Sequence, residues 1–121
     1  MRRAAPALSL LAALAAACAP AAIQPGRLGC GGTREVELVN ASSLHVEQLY
    51  LGNGRLDGWG RDLLGQAPPL PSQRSLTLRV PGAAGQAVRA IWVNGRAAEL
   101  PGLDGCAVRR IVVADGALRA E

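Results

Sequence analysis

From Arg34 the chain alternates polar and apolar residues. Arg-Glu-Val-Glu-Leu-Val-Asn puts Val36 and Leu38 on one face, and Asn40 to Ser43 end the run as a turn. Alternation of period two marks a half-buried strand. Leu44 to Leu51 reads as a second strand with an irregularity, since Leu44 and Val46 share one parity and Leu49 and Leu51 the other. Either both faces are covered or a bulge switches the register. Ser75 to Val80 alternates cleanly, and Pro81-Gly82 stops it. Ala87 to Val93 forms a fourth strand, Asn94-Gly95 after it is a strong hairpin signal, and Arg96 to Leu100 returns. Cys106 to Ala114 is the next strand, and Asp115-Gly116 leads into a short final one at Ala117 to Arg119.

Between the second and third strands, Gly52 to Gln73 is broken by glycines and prolines. Its Trp59, Leu63 and Leu64 are too apolar for a free loop and are expected to plug one end of the core. No stretch after residue 22 shows a convincing helical period. Roughly six or seven short strands joined by tight turns predict an all-β domain over residues 34–121, a small antiparallel β-sandwich or barrel.

The first 33 residues are different. Met1-Arg2-Arg3 precedes an apolar run from Ala4 to Ala17, which ends in small residues. A basic start, a short apolar stretch and small residues at its end make a secretory signal peptide, here residues 1–17. The run is shorter than the ~20 residues of a spanning helix. The plain structural alternative is a buried N-terminal helix. Leu14-Ala15-Ala16-Ala17-Cys18 resembles a bacterial lipoprotein box, which implies lipidation of Cys18 and an acylated N-terminus held in a membrane leaflet. Ala15 stands where the commonest box has Leu. The rival cleavage follows Ala19-Pro20-Ala21, a small-x-small site that would release a soluble protein. With Ala19 after the cysteine, the resemblance points to the outer membrane, facing the periplasm. Residues 18–33, rich in Ala, Pro and Gly, read as a flexible tether.

Cysteine arithmetic favours the lipoprotein reading. An odd count of three in an exported chain needs an explanation. Lipidation of Cys18 supplies it and leaves Cys30 and Cys106 to form a disulfide in an oxidising compartment. A loop of that length stabilises by about 4.5 kcal/mol in the chain-entropy model. The alternative is two buried free thiols.

Composition mostly removes possibilities. The formal net charge of +4 includes Arg2 and Arg3, and the exported part keeps 11 basic against 9 acidic residues. The arginines are scattered, with Arg109-Arg110 the one adjacent pair there, and aromatics are 2% of the chain. A nucleic-acid surface wants clustered basic residues and stacking rings, so nucleic acid is not an expected partner.

Three segments resemble a group of small exported bacterial proteins of unestablished function. They are Val39-Asn40-x-Ser42, Val46-x-x-Leu49-Tyr50-Leu51 and Trp59-Gly60-x-Asp62-Leu63-Leu64-Gly65. Leu103-Asp104-Gly105-Cys106 approximates that group's late cysteine segment. Pro71-Ser72-Gln73-Arg74 replaces its Pro-Gly turn, and Ala87 stands where it tends to have Asp. The resemblance spans about residues 36–113 and implies a compact β domain and export. It lends no activity.

Candidate chemistry concentrates in Trp59-Gly60-Arg61-Asp62. Trp59 could stack on a ligand ring while Arg61 and Asp62 supply polar contacts. The structural reading has Asp62 accepting backbone N–H bonds and Trp59 burying against the sheet. The run from Gly52 to Gly58 lacks the Gly-Lys-Ser/Thr ending and following helix of a phosphate loop. Asn53, Asp57 and Asp62 fall short of a calcium loop's spacing. Gly29-Cys30-Gly31-Gly32 could form an anion nest but fits a lead-in to the disulfide better. His45, the single histidine, has no second imidazole for zinc. Ser42 and Ser43 cannot form a triad with it along one strand, and no Gly-x-Ser-x-Gly elbow exists. Trp92 and Tyr50 read as core fillers. No catalytic residue, metal site or cofactor is expected.

The expectation is an exported, lipid-anchored, non-catalytic binding or structural protein of the cell envelope. Its partners would be the membrane, through the lipid, and an envelope protein or polymer. The alternative is a small ligand carrier or hydrolase using the Trp59–Asp62 loop. It requires an open pocket beside Trp59 and an unpaired Asp62.

Overall fold

The computed structural model describes residues 29–53 and 58–121. The expected signal peptide, Cys18 and most of the tether lie outside them, as do Arg55 and Asp57 of the glycine-rich loop.

The described residues form seven strands: β1 Thr33–Asn40, β2 Val46–Gly52, β3 Ser75–Pro81, β4 Gln86–Trp92, β5 Ala97–Leu103, β6 Arg110–Ala114 and β7 Ala117–Ala120. They form a four-stranded sheet of order β3-β1-β6-β7 and a three-stranded sheet of order β2-β4-β5. The two sheets pack face to face, as a small β-sandwich. Val36, Leu38, Leu78, Val80, Ile111 and Val113 come from one; Val46, Leu49, Val88, Ala90, Trp92 and Leu103 come from the other. The period-two pattern is clean in β1 and β3, which bury alternate aliphatics and leave the intervening residues outside, whereas β6 buries Ile111, Val112 and Val113 in succession and β4 buries Ala87 beside Val88.

Antiparallel pairing holds with one exception. β1 and β6 run parallel, with Leu38 opposite Ile111 and Asn40 opposite Val113. Both strands therefore start at one end of the sandwich, and residues just before them meet. Cys30 precedes β1, Cys106 precedes β6, and the two form a disulfide there. Gly82 sits under it. A Cβ at Gly82 would lie 2.6 Å from Cys30 Sγ and 2.5 Å from Gly31 C=O, so the close approach requires glycine.

The irregularity in β2 is a register shift between Val46 and Gln48, and it lets both Val46 and Leu49 point inward. Three boundaries differ from the sequence expectation. Leu44 and His45 belong to the turn before β2 rather than to the strand. β5 continues through Pro101, tolerated because β5 is a sheet edge. β6 starts at Arg110 rather than Cys106, because Asp104 rolls the chain into a turn. Its carboxylate accepts the Cys106 N–H at 2.9 Å, and its carbonyl accepts the N–H groups of Ala107 and Val108 at 3.0 Å.

Candidate functional site

The segment from Gly58 to Leu70 contains the residues singled out for chemistry, and it lies along the free margin of β2. Val46 and Leu70 exchange backbone bonds of 2.9 and 2.8 Å, and Leu63 N–H donates to Leu49 C=O at 2.7 Å. Asp62 completes the arrangement. Its Oδ1 accepts the Leu49 N–H at 2.9 Å and the Leu64 N–H at 3.0 Å. A strand edge otherwise left with bare N–H and C=O groups is thus covered by the protein's own loop. Asp62 is occupied by this work.

Trp59 is 8% exposed, yet it does not plug an end of the core. It lies with Tyr50, Arg89 and Ile91 around a shallow hollow of about 260 Å³. Those three have the parity opposite to the inward-facing Leu49, Ala90 and Trp92, so Trp59 covers the outer face of the three-stranded sheet. The cause is how the chain leaves β2. A Cβ at Gly52 would stand 2.0 Å from Gly58 C=O, and this crossing carries Trp59 outside the sheet. Arg89 reaches Glu99 at 3.7 Å, while its Nε is buried without a hydrogen-bond partner among the described residues. Tyr50 is half-buried on this outer face, not in the core, and its hydroxyl donates to Gln48 Oε1 at 2.6 Å.

Arg61 goes a third way. It is exposed and lines a groove of about 300 Å³ with Leu49, Leu63, Leu76, Leu78 and Arg79. The three residues grouped in sequence are therefore separated in space. Trp59 covers a sheet face, Asp62 seals an edge, and Arg61 faces β3.

His45 is exposed, and its Nδ1 accepts the Ser72 N–H at 3.2 Å. Among the described residues no group of three His, Cys, Asp or Glu side chains could hold a metal ion.

Sequence alone reads Asn40 to Ser43 as a plain turn, whereas the structure forms a buried polar hub there. Asn40 is 0% and Ser42 1% exposed. Asn40 Nδ2 donates to the carbonyls of Leu44 and Leu70 at 2.9 and 3.0 Å. Its Oδ1 accepts the Ser42 N–H at 3.1 Å. The Ser42 hydroxyl lies 2.5 Å from Asn40 Oδ1 and 3.0 Å from Leu44 C=O, two acceptors for its one proton. It accepts the Trp92 indole N–H at 2.9 Å. One cluster joins β1, the loop beside β2, and β4. The spacing Asn-x-Ser was the available signal, but the same letters also serve ordinary turns.

Beside this hub is a cleft of about 510 Å³, lined by Ser43, Leu44, Trp92, Asn94, Arg96 and Asp115 among others. Ser43 donates to Asp115 Oδ1 through its N–H at 2.7 Å and its hydroxyl at 2.9 Å. Those two bonds, the backbone one foremost, hold the Asp115 carboxyl below the usual carboxylate range. The cleft opens at the end of the sandwich where β1 and β6 finish, away from the disulfide.

No family model and no curated protein matches the chain. Among solved structures the fold is similar to that of a protein from Eubacterium rectale determined by NMR. That likeness has 14% identity and a TM-score of 0.52, and it covers 83% of this chain and 94% of the other. It establishes a shared fold.

Proposed function

We propose that the protein is an exported, lipid-anchored interaction module of the bacterial envelope with no catalytic activity. The observation that carries this reading is the employment of Asp62. Its Oδ1 accepts the Leu49 N–H on the β2 edge and the Leu64 N–H within the loop, so the carboxylate that a hydrolase or carrier would need beside Trp59 is tied into the fold. Anchoring rests on the sequence around Cys18. The described domain begins at the disulfide end, so a tether would enter there and leave the opposite end facing away from the membrane.

Two measurements test it. The intact mass of protein taken from a bacterial membrane fraction should show a diacylglyceryl or triacyl adduct on Cys18, because two or more chains anchor durably where one does not. A mature species starting at Ala22 without lipid overturns the anchor. Chemical denaturation should show Asp62→Ala losing about 1–3 kcal/mol and Trp59→Ala about 3–5 kcal/mol. Full stability in both variants would free the loop for chemistry and favour the hydrolase.

A small-ligand carrier is the second reading, and the 510 Å³ cleft between Leu44, Arg96 and Asp115 favours it. Its volume is within the ordinary range of ligand pockets.

A further inference from the structure

We propose that the open edge of β3, with the groove between it and Arg61–Leu63, docks an extended acidic peptide segment of a partner protein as an added strand. This names the partner class of the interaction module and rests on that reading. Lipidation of Cys18 is measured separately, so the two can fail independently.

The backbone phase of β3 follows from its neighbour. Glu37 and Ala41 donate their N–H groups toward β6, to Arg109 and Val113, while Asn40 donates to Arg74 on the β3 side. Odd residues of β1 therefore face β6 and even ones face β3. Since Leu38 pairs with Leu76, Val36 with Leu78 and Arg34 with Val80, the N–H and C=O groups of those β3 residues close the ladder with β1. Ser75, Thr77 and Arg79 direct theirs outward. β3 is the margin of its sheet, and no hydrogen bond among the described residues caps these groups. The other margins are protected or short. β2 has the Gly58–Leu70 segment along it, β5 contains Pro101, and β7 is four residues long.

A groove runs beside this bare edge. Leu63, 41% exposed, stands over it and is fixed by its 2.7 Å bond to Leu49. Half-buried Leu76 and buried Leu78 form the floor. A strand paired to Ser75–Arg79 would send alternate side chains into this groove, which is how strand addition combines backbone affinity with side-chain selection.

Charge selects the occupant. Arg61 and Arg79 line the groove and Arg74 stands where β3 begins. Neither Arg61 nor Arg74 has an acidic partner among the described residues, and Arg79 meets Glu35 only at 3.9 Å between exposed groups. Of the other carboxylates nearby, Asp62 is turned to Leu49 and Leu64, and Glu37, opposite Thr77 on β1, is paired with Arg110 at 3.0 Å. A second copy of this chain would set these arginines against themselves. An acidic strand would not.

The test uses the mature full-length protein in detergent and a fluorescein-labelled peptide alternating Glu and Val over eight residues, with the Lys-for-Glu peptide as control. The acidic peptide should bind, weaken with salt, and slow amide exchange at Ser75, Thr77 and Arg79. Thr77→Pro removes an outward N–H without touching the β1 ladder, and should weaken binding about tenfold or more, as expected for a lost hydrogen bond and a disrupted register. The double variant Arg61→Glu, Arg74→Glu should abolish binding whether or not Thr77→Pro folds. Equal binding of the Lys peptide, protection at the cleft of Ser43 and Asp115 instead of β3, or protection of β3 by dimerisation without peptide would each overturn the proposal.

Discussion

The parallel pair β1 and β6 is closed at both of its ends, by different chemistry. Before the strands, the Cys30–Cys106 disulfide joins the two lead-in segments covalently over Gly82, and Arg34 Nη1 donates to the carbonyls of Gly105, at 3.3 Å, and Cys106. After the strands, Asn40 and Ser42 form a buried hydrogen-bonded hub, and Ser43 reaches across to Asp115. The covalent end acts largely through the unfolded chain, by restricting it. The polar end acts in the folded state, and its value lies in leaving no buried donor or acceptor unpaired. Losing one partner there strands the others.

Opening the covalent end should have the largest effect. Cys30→Ser with Cys106→Ser is expected to lower unfolding free energy by about 4.5 kcal/mol, the loop-closure value for a separation of 76 residues. Urea titration of the purified variant against the oxidised parent measures it. A loss under ~1 kcal/mol would show that the unfolded chain is already compact and would leave the polar end dominant.

Next is Asn40→Ala, which removes both carbonyl contacts and the acceptor for Ser42 at once. Each stranded buried group costs about 1–3 kcal/mol, so a total near 3 kcal/mol or more is expected from the same titration. Asn40→Asp sharpens the test. It retains an acceptor for Ser42 but sets a carboxylate against the carbonyls of Leu44 and Leu70, and should be worse than Ala. If it is better, the hub is held by Ser42 rather than by the amide protons.

These two ends also differ in how far the sequence disclosed them. The disulfide followed from an odd cysteine count and an inferred compartment, and Val36, Leu38, Leu78 and Val80 announced their faces by alternation. The bulge in β2 was visible as a change of parity between Val46 and Leu49. The hub was not visible, because Asn and Ser are favoured in solvated turns for the same hydrogen-bonding capacity that here works in the interior. The parallel pairing of β1 with β6 was also hidden, since strand patterns carry no direction. At the candidate site the capping role of Asp62 was legible from residue chemistry. The outward course of Trp59 was not, because it depends on the crossing of Gly52 and Gly58.

A smaller effect is expected at Trp92. Trp92→Phe deletes the indole N–H that donates to Ser42 and leaves a modest void, for a loss of about 1–2 kcal/mol. The variant also isolates Trp59 as the remaining tryptophan. Its emission should be blue-shifted, as an indole 8% exposed requires. Emission at the wavelength of free tryptophan would detach Trp59 from the outer sheet face.

The smallest expected effect is at Asp115, on the surface of the polar end. Its carboxyl is held below the usual range by the two bonds from Ser43, so the folded state favours the ionised form. Such a group adds stability above its unfolded value and loses it as pH falls through the lower folded value. Asp115→Asn should therefore be slightly less stable than the parent at neutral pH, with the gap closing below about pH 4, near the ordinary aspartate range. Solvent exposure and salt screening keep the gap small, and raising ionic strength should shrink it further. Parallel urea titrations of parent and variant between neutral and acid pH follow it. A gap that persisted unchanged in acid would mean that Asn simply fits the Ser43 turn less well, with charge playing no part in closing this end of the β1–β6 pair.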